Sequence, residues 1–106
     1  MFSECKFLIN IDLSNFKTQN VIDMSYMFLR CEELKNINLS NFNTQNVTDM
    51  SHMFGGCIHL TSIDLSNFSN QNVINMCDMF NNCYSLKNIN LTNFMTHGFN
   101  ILSIKI

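Results

Sequence analysis

The chain has 106 residues, of which 46% are hydrophobic and 13% are charged, and its formal net charge at pH 7 is −2. This length suits one ordinary domain, and the chain lacks the clustered Lys and Arg that nucleic-acid binding requires. No apolar run approaches a membrane span, and the opening residues "MFSECKFLIN" contain no basic region followed by an apolar stretch, so no signal peptide is visible.

The sequence repeats with a period of 26 residues. The segment "IDLSNF" at 11–16 returns as "INLSNF" at 37–42, "IDLSNF" at 63–68 and "INLTNF" at 89–94. The segment "DMSYMFLRC" at 23–31 returns as "DMSHMFGGC" at 49–57 and "NMCDMFNNC" at 75–83. A fixed period of this length predicts an array in which each unit packs on its neighbours. We therefore expect a single repeat domain over 1–106, with coils at approximately 1–26, 27–52, 53–78 and 79–106.

The first coil begins in the middle of a repeat, and the last one diverges after Phe94. The final segment, "ILSIKI" at 101–106, alternates between apolar and other residues for most of its length and predicts a closing strand.

Each unit carries two periodicities in chain order. In "LKNINLSNF" at 34–42, Ile37 and Leu39 alternate with polar residues, which predicts a short strand with one buried face. In "VTDMSHMFGGC" at 47–57, the apolar residues fall at helical spacing, which predicts a short helix or a few helical turns. Asn46 precedes this segment and is the predicted N-cap.

Neither element can bury its apolar face within one unit, so the units must stack. We expect an α/β repeat fold: a leucine-rich-repeat-like solenoid of about four coils, with a parallel sheet and short helical segments on the opposite side.

The whole pattern, LxxIxLSNFxTxNVxxMxxMFxxCxxL, resembles the 26-residue repeat of BspA-like leucine-rich repeat surface proteins over residues 1 to about 99. The resemblance implies a leucine-rich-repeat-type solenoid and a surface-exposed array that binds host or matrix molecules. It therefore also implies a cell-surface or extracellular location.

The cysteines admit three interpretations. Four of them recur in one slot of the repeat and would form a column: Cys5, Cys31, Cys57 and Cys83. A straight column does not converge on a tetrahedral metal ion, and side chains that rise in step do not point toward each other as a disulfide requires. The favoured interpretation is a column of buried thiols. Cys77 replaces Ser25 and Ser51 in its slot and is the candidate reactive or intermolecular thiol.

The recurring methionines could in principle bind Cu(I), but a stripe of Met at regular spacing beside Phe and Val favours a hydrophobic core. His52, His59 and His97 occupy slots that the other copies fill with different residues. No set of Ser, His, Cys and Asp has a reason to converge, and no phosphate-binding glycine loop exists. We therefore expect no catalytic residues, no metal site, no cofactor and no enzymatic activity.

Asparagine is abundant and has a structural interpretation. Alternation places Asn41 inward at the end of its strand, in one column with Asn15, Asn67 and Asn93. Each amide would satisfy backbone groups where strand pairing stops. Five further polar residues suit the next bend through side-chain bonds to the backbone; they are Thr18, Thr44, Asn20, Asn46 and Asn72.

The outward strand positions, which we call the polar row, form the predicted binding face. Its members are Asn10, Asp12, Ser14, Asn36, Asn38, Ser40, Ser62, Asp64, Ser66, Asn88, Asn90 and Thr92. The alternative interpretation is a solvated sheet face kept polar for solubility. Four strands span only about 15 Å at the usual strand spacing, so a longer array would bind more tightly through multivalency. Asp12 and Asp64 alternate with Asn38 and Asn90, and a flat ladder of this kind does not build a calcium cage.

These observations predict a non-catalytic binding module for a protein or glycan ligand, with no nucleic acid and no membrane span. By the resemblance, the module is part of a surface adhesion or interaction protein. The alternative is a structural spacer, or a truncated fragment of a longer array, with no ligand of its own. Because no polar cap is visible before the first coil, we also expect self-association through the ends of the array.

Overall fold

The computed structural model describes residues 5–91, and two short strands lie within that range. They are β1 (Ser62–Asp64) and β2 (Asn88–Asn90), each of 3 residues. The strands pair in parallel, with Ile63 opposite Ile89, so each residue lies opposite its equivalent in the next sequence repeat. The middle side chain of each strand is the least exposed, and its two neighbours face solvent, as the alternating pattern predicts.

The predicted helical segments are wrong, because the described range contains no helix. Residues 47–57 instead form successive turns. The N–H of Met53 donates to the carbonyl of Met50 at 3.3 Å, and the N–H of Cys57 donates to that of Phe54 at 3.2 Å. Turns closed by bonds three residues apart bring side chains to one side at nearly the spacing of a helix, so the apolar pattern could not separate the two.

The backbone of this turn stretch also bonds to the next repeat. The N–H of Met24 donates to Asp49 O at 2.9 Å, and the N–H of Phe28 donates to Met53 O at 2.8 Å. Tyr26, Arg30, Met50, His52, Phe54 and Gly56 donate to the following repeat in the same direction. Two isolated parallel bridges join the column of Asp23, Asp49 and Asn75.

The expected α/β leucine-rich-repeat-like solenoid of about four coils, with a parallel sheet and short helical segments on the opposite side, is therefore also wrong. Within residues 5–91 the sheet has two strands of 3 residues and no helix lies opposite it. The strand expected over 34–42 is not formed, although Lys35 O still accepts the N–H of Thr61 at 3.2 Å. Within residues 5–91, much of the cross-repeat bonding lies in the turn stretch, because its alternate peptides point their N–H groups at the next repeat. The proposed division into units remains a prediction.

The core is one cluster built from the repeated apolar slots. The rings of Phe28 and Phe54 stack with centroids 5.5 Å apart, and Phe54 stacks on Phe80 at 5.5 Å. The methionines of the same stretch are buried beside them, namely Met24, Met27, Met50, Met53, Met76 and Met79. The interpretation of the Met-Phe-Cys pattern as core is confirmed.

The cysteine column is also part of the core. Cys31, Cys57 and Cys83 are buried, Cys5 is half-buried, and Cys77 is exposed, as the slot comparison predicts. The thiol of Cys57 donates to Phe28 O at 3.2 Å, and that of Cys83 donates to Phe54 O at 3.0 Å. Burial raises the pKa of Cys83 to about 11, so its thiol stays protonated at neutral pH.

Candidate functional site

The polar row is described from Asn10 to Asn90, and Thr92 lies outside the described residues. Its members within that range are exposed, with Ser66 half-exposed. They alternate with the buried or half-buried Ile and Leu side chains of the same segments, such as Ile63 and Leu65. The structure therefore places these side chains where a partner could reach them.

One set of equivalent positions in the polar row, which forms a column from repeat to repeat, also shapes the backbone. Asp12 Oδ1 accepts the N–H of Ser14 at 3.0 Å, Asn38 Oδ1 that of Ser40 at 3.0 Å, and Asp64 Oδ1 that of Ser66 at 2.9 Å. These Asx turns start the bend at the end of the segment. The sequence analysis missed them, although the spacing of Asp or Asn two residues before Ser could have indicated them.

The hydrogen bonds also fix the charge of this column. The hydroxyl and N–H of Ser14 hold the pKa of the Asp12 carboxyl below its ordinary value, and Ser66 does the same for Asp64. Both carboxylates are therefore ionised at neutral pH.

Two shallow depressions lie along the row. The first has a volume of about 450 Å³, and the row residues that line it are Asp12, Ser14, Asn38 and Ser40. The second also has a volume of about 450 Å³, and the row residues that line it are Ser62, Asp64, Asn88 and Asn90. Each depression thus spans two repeats and contains one carboxylate, and Lys87 adds a cation to the second.

The asparagine column performs the predicted task from a different position. Asn41 and Asn67 are exposed, so their predicted inward placement is wrong. Asn67 Nδ2 nevertheless donates to Leu39 O at 3.0 Å and to Phe42 O at 2.8 Å in the preceding repeat. Asn41 Nδ2 likewise reaches Phe16 O at 2.7 Å. The amides therefore satisfy the carbonyls of the bend from its outer side, and Asn93 lies outside the described residues.

The threonines of the next bend bond as predicted. Thr44 Oγ1 accepts the N–H of Ser69 at 2.8 Å and donates to Ser69 O at 3.0 Å. Thr18 makes the same pair of bonds to Asn43. Because no helix follows it, Asn46 is not an N-cap; its Nδ2 donates to Gln19 O at 2.8 Å. These side chains bond each bend to the bend of the neighbouring repeat and so have a structural task. The polar row therefore remains the candidate site.

The turn stretch carries a second surface feature that the sequence analysis missed. The rings of Tyr26 and His52 stack with centroids 4.8 Å apart. A depression of about 260 Å³ lies beside them, between Arg30 and Asn82. Gly56, with a φ of 74°, makes room for the Arg30 side chain, whose Cγ would lie 3.1 Å from an added Cβ. The stack is explained by packing between repeats.

Within residues 5–91, no group of three or more His, Cys, Asp or Glu side chains is arranged to hold a metal ion. The same part of the chain contains no helix that could cross a membrane. The polar row contains no His or Cys.

No curated protein and no solved structure matches the chain. The resemblance to BspA-like surface proteins therefore stays a hypothesis. A family model described as "Mycoplasma protein of unknown function, DUF285" matches residues 1–103. Because this match covers almost the whole sequence, the chain belongs to the DUF285 family.

Proposed function

We propose that the protein is a non-catalytic binding module whose polar row contacts a protein or glycan ligand. The observation that carries this proposal is the position of the two depressions, which are lined by eight members of the row. Small polar side chains with donors and acceptors at regular intervals suit repeated hydrogen bonding to such a ligand. The BspA-like sequence pattern adds support for a role at a cell surface, as part of an adhesion or interaction protein.

The proposal predicts weak binding by one chain. A standard protein interface buries about 800 Å² per partner, and a row only a few strands wide offers less than that. A longer array would present the same contacts many times and gain affinity through effective concentration. The ligand should therefore be sought with the protein displayed at high density.

The test is a screen of this chain on glycan and matrix-protein arrays, repeated with a row variant. Ser62→Arg combined with Asn88→Arg places two bulky cations on the row at paired positions of β1 and β2. The matched control is Gln45→Arg combined with Gln71→Arg, two exposed bend residues at the same sequence spacing. Signals that disappear in the row variant and persist in the control support the proposal. Signals equal in all three proteins, or found only with longer related arrays, contradict it for this chain.

The second candidate is a structural spacer with no ligand of its own. It is favoured by the Asx turns, since Asp12, Asn38 and Asp64 each accept a backbone N–H and so have a structural task. On this hypothesis the arrays give no signal. Asp64→Ala, which removes the acceptor of an Asx turn, lowers the free energy of unfolding. A loss of about 1 kcal/mol is typical when a comparable helix cap is removed.

A further inference from the structure

We propose that Asn38 is a modification site, at which the protein can carry an N-linked glycan without loss of stability. Such glycans attach to Asn in the sequence Asn-x-Ser or Asn-x-Thr, where x is not Pro. Four of these sequences occur in the chain, beginning at Asn38, Asn46, Asn67 and Asn90. The fourth ends at Thr92, outside the described residues, so the structure distinguishes among the first three.

The side chain of Asn38 is arranged as this modification requires. It is exposed, and its Oδ1 accepts the N–H of Ser40 at 3.0 Å in the Asx turn. Within residues 5–91 its Nδ2 group, the atom that takes the sugar, makes no hydrogen bond. Asn38 also lines the first depression, whose volume of about 450 Å³ gives the first sugar room. The oxygen therefore holds the turn while the nitrogen stays available.

The other two asparagines use the same nitrogen in the fold. Asn67 Nδ2 lies within hydrogen-bond distance of three backbone carbonyls of the preceding repeat, at 2.8–3.4 Å. Asn46 Nδ2 donates to Gln19 O at 2.8 Å. An amide nitrogen carries two hydrogens, and a glycan replaces one of them. A glycan on Asn67 therefore breaks at least one bond, and a glycan on Asn46 leaves its bond dependent on the single remaining hydrogen.

The transfer step takes its sugar from a lipid-linked oligosaccharide pyrophosphate and needs an oligosaccharyltransferase. Asn38 Nδ2 forms a bond to C1 of the first sugar, and the bond from C1 to the pyrophosphate oxygen breaks. The lipid pyrophosphate leaves, and the nitrogen gives one proton to a base of the enzyme. The amide carbonyl is unchanged, so Oδ1 still accepts the Ser40 N–H and the Asx turn survives.

A glycan on Asn38 would also change the polar row. It would occupy the first depression, whereas the second, which β1 and β2 line, would stay open. A ligand of the row would then reach only part of it. This consequence rests on the proposed function, but the modification itself goes beyond that function and is read from the mass of the protein.

The experiment expresses the full chain behind a cleavable secretion signal in a eukaryotic host and maps the secreted protein. Peptide N-glycosidase in heavy-oxygen water converts each glycosylated Asn into a labelled Asp, which mass spectrometry locates. We expect Asn38 to be occupied at least about tenfold more often than Asn67, the factor that corresponds to one lost hydrogen bond. The urea midpoint should be the same before and after the glycan is removed.

Two variants remove the site and keep the turn. Asn38→Asp keeps the acceptor oxygen, as Asp64 shows in the equivalent position. Ser40→Ala keeps the backbone N–H that the Asx turn uses. Both variants should lose the glycan. The matched control, Ser69→Ala, removes the glycosylation sequence of Asn67 and should carry the same glycan as the parent.

Three outcomes overturn the proposal. The first is a secreted parent protein without a glycan on Asn38. The second is a urea midpoint that rises when the glycan is removed, because the modification would then disturb the fold. The third is a parent that the host retains while it secretes Ser40→Ala, because the glycan would then prevent folding. The array screen uses protein without a glycan, so the proposed function is decided separately from all three.

Discussion

At the scale of single residues, one side-chain amide donates hydrogen bonds to several backbone carbonyls of the preceding repeat. The Nδ2 group of Asn67 lies within hydrogen-bond distance of Leu39 O, Ser40 O and Phe42 O, at 3.0, 3.4 and 2.8 Å. Only a side-chain donor can fill this position, because all its partners are acceptors. The need for this donor explains the recurrence of asparagine in this slot. It is a better explanation than a need for solubility.

Replacing Asn67 with Asp should therefore destabilise the protein. The carboxylate has no N–H and would face three carbonyl oxygens, so we expect the free energy of unfolding to fall by about 1–3 kcal/mol. Urea denaturation measures the change. Asn43→Asp is the control, because Asn43 uses only its Oδ1, which accepts the N–H of Gln45 at 3.0 Å. Equal losses in the two variants would contradict the role given to the Asn67 amide.

The buried thiols predict a dependence of stability on alkaline pH. Burial raises the pKa of Cys31 and Cys83 to about 11 from an ordinary 9.0. A thiol with a raised pKa binds its proton more tightly in the folded state, so its stabilising effect is complete below the ordinary pKa. That effect is lost as the pH rises from 9.0 toward about 11. Urea midpoints should fall over this interval, and Cys83→Ala should reduce the slope; a flat profile would contradict the burial of these thiols.

Thiol accessibility gives an independent check on the same column. Cys77 is exposed, whereas Cys31, Cys57 and Cys83 are buried. We expect a thiol reagent to label Cys77 rapidly in the native protein and the three buried residues only after denaturation. Cys77→Ser should remove the rapid phase. Rapid native labelling of the buried column would contradict the packing of the core.

At the scale of the element, the turn stretch depends on residues with left-handed backbone conformation. His52 and Asp78 have φ angles of 56° and 55°, and Arg30, Gly56 and Asn82 have angles of 59°, 74° and 63°. These angles recur in the same slots of the repeat and turn successive peptides so that their N–H groups reach the next repeat. Residues with a Cβ adopt this left-handed conformation only at an energetic cost, whereas glycine adopts it without that cost.

Gly56→Ala should consequently weaken the protein. The new Cβ would be strained at this φ and would lie 3.1 Å from Arg30 Cγ. We expect a loss of about 1–2 kcal/mol in the free energy of unfolding, measured by thermal or urea denaturation. Asn82→Gly, in the equivalent slot, is the control and should be neutral or slightly stabilising. A neutral Gly56→Ala would show that this turn relaxes freely.

The same stretch shows what the sequence could and could not predict. The burial of Met50, Met53 and Phe54 followed from their recurrence, because an apolar slot that returns in every unit must face the core. The helix did not follow, since turns closed three residues apart give nearly the same spacing over one unit. The left-handed positions also carry no common residue type, being Tyr26, His52 and Asp78 in one slot. The bonds that decide the conformation join residues about 25 positions apart, which no local pattern contains.

The polar row shows a similar division. Alternation with Ile63 and Leu65 was enough to predict that Ser62 and Asp64 are exposed. The depressions depend on how two repeats lie together, and the Asx bonds depend on the path of the bend. Alternation also failed at Asn67, because the chain turns before that residue and the side chain reaches its carbonyls from outside.

At the scale of the whole molecule, the first described repeat exposes apolar side chains that its counterparts replace with polar ones. Phe7 is 89% exposed and Ile9 is 58% exposed, and the next repeat places Glu33 and Lys35 in these slots. We expect self-association that grows with concentration, because it would remove this apolar surface from water. Light scattering on a dilution series measures it.

The variant that tests this expectation replaces Phe7 with Glu and Ile9 with Lys, the residues that the next repeat carries. We expect it to stay monomeric at concentrations at which the parent associates. The control is Ile74→Lys, which removes a residue that is 82% exposed elsewhere on the surface. A parent protein that is strictly monomeric, or a control that dissociates equally, would contradict association through the first repeat.

The one-way hydrogen bonds of the turn stretch have a further consequence. In 24–30 and again in 50–56, alternate peptides donate toward the next repeat, and the peptides of the second stretch also accept from the first. Their dipoles therefore add across the repeats, as peptide dipoles add along a helix. In an array of such units the field would run perpendicular to the local chain and grow with each added repeat. Its N–H end would attract anions, and its carbonyl end would attract cations.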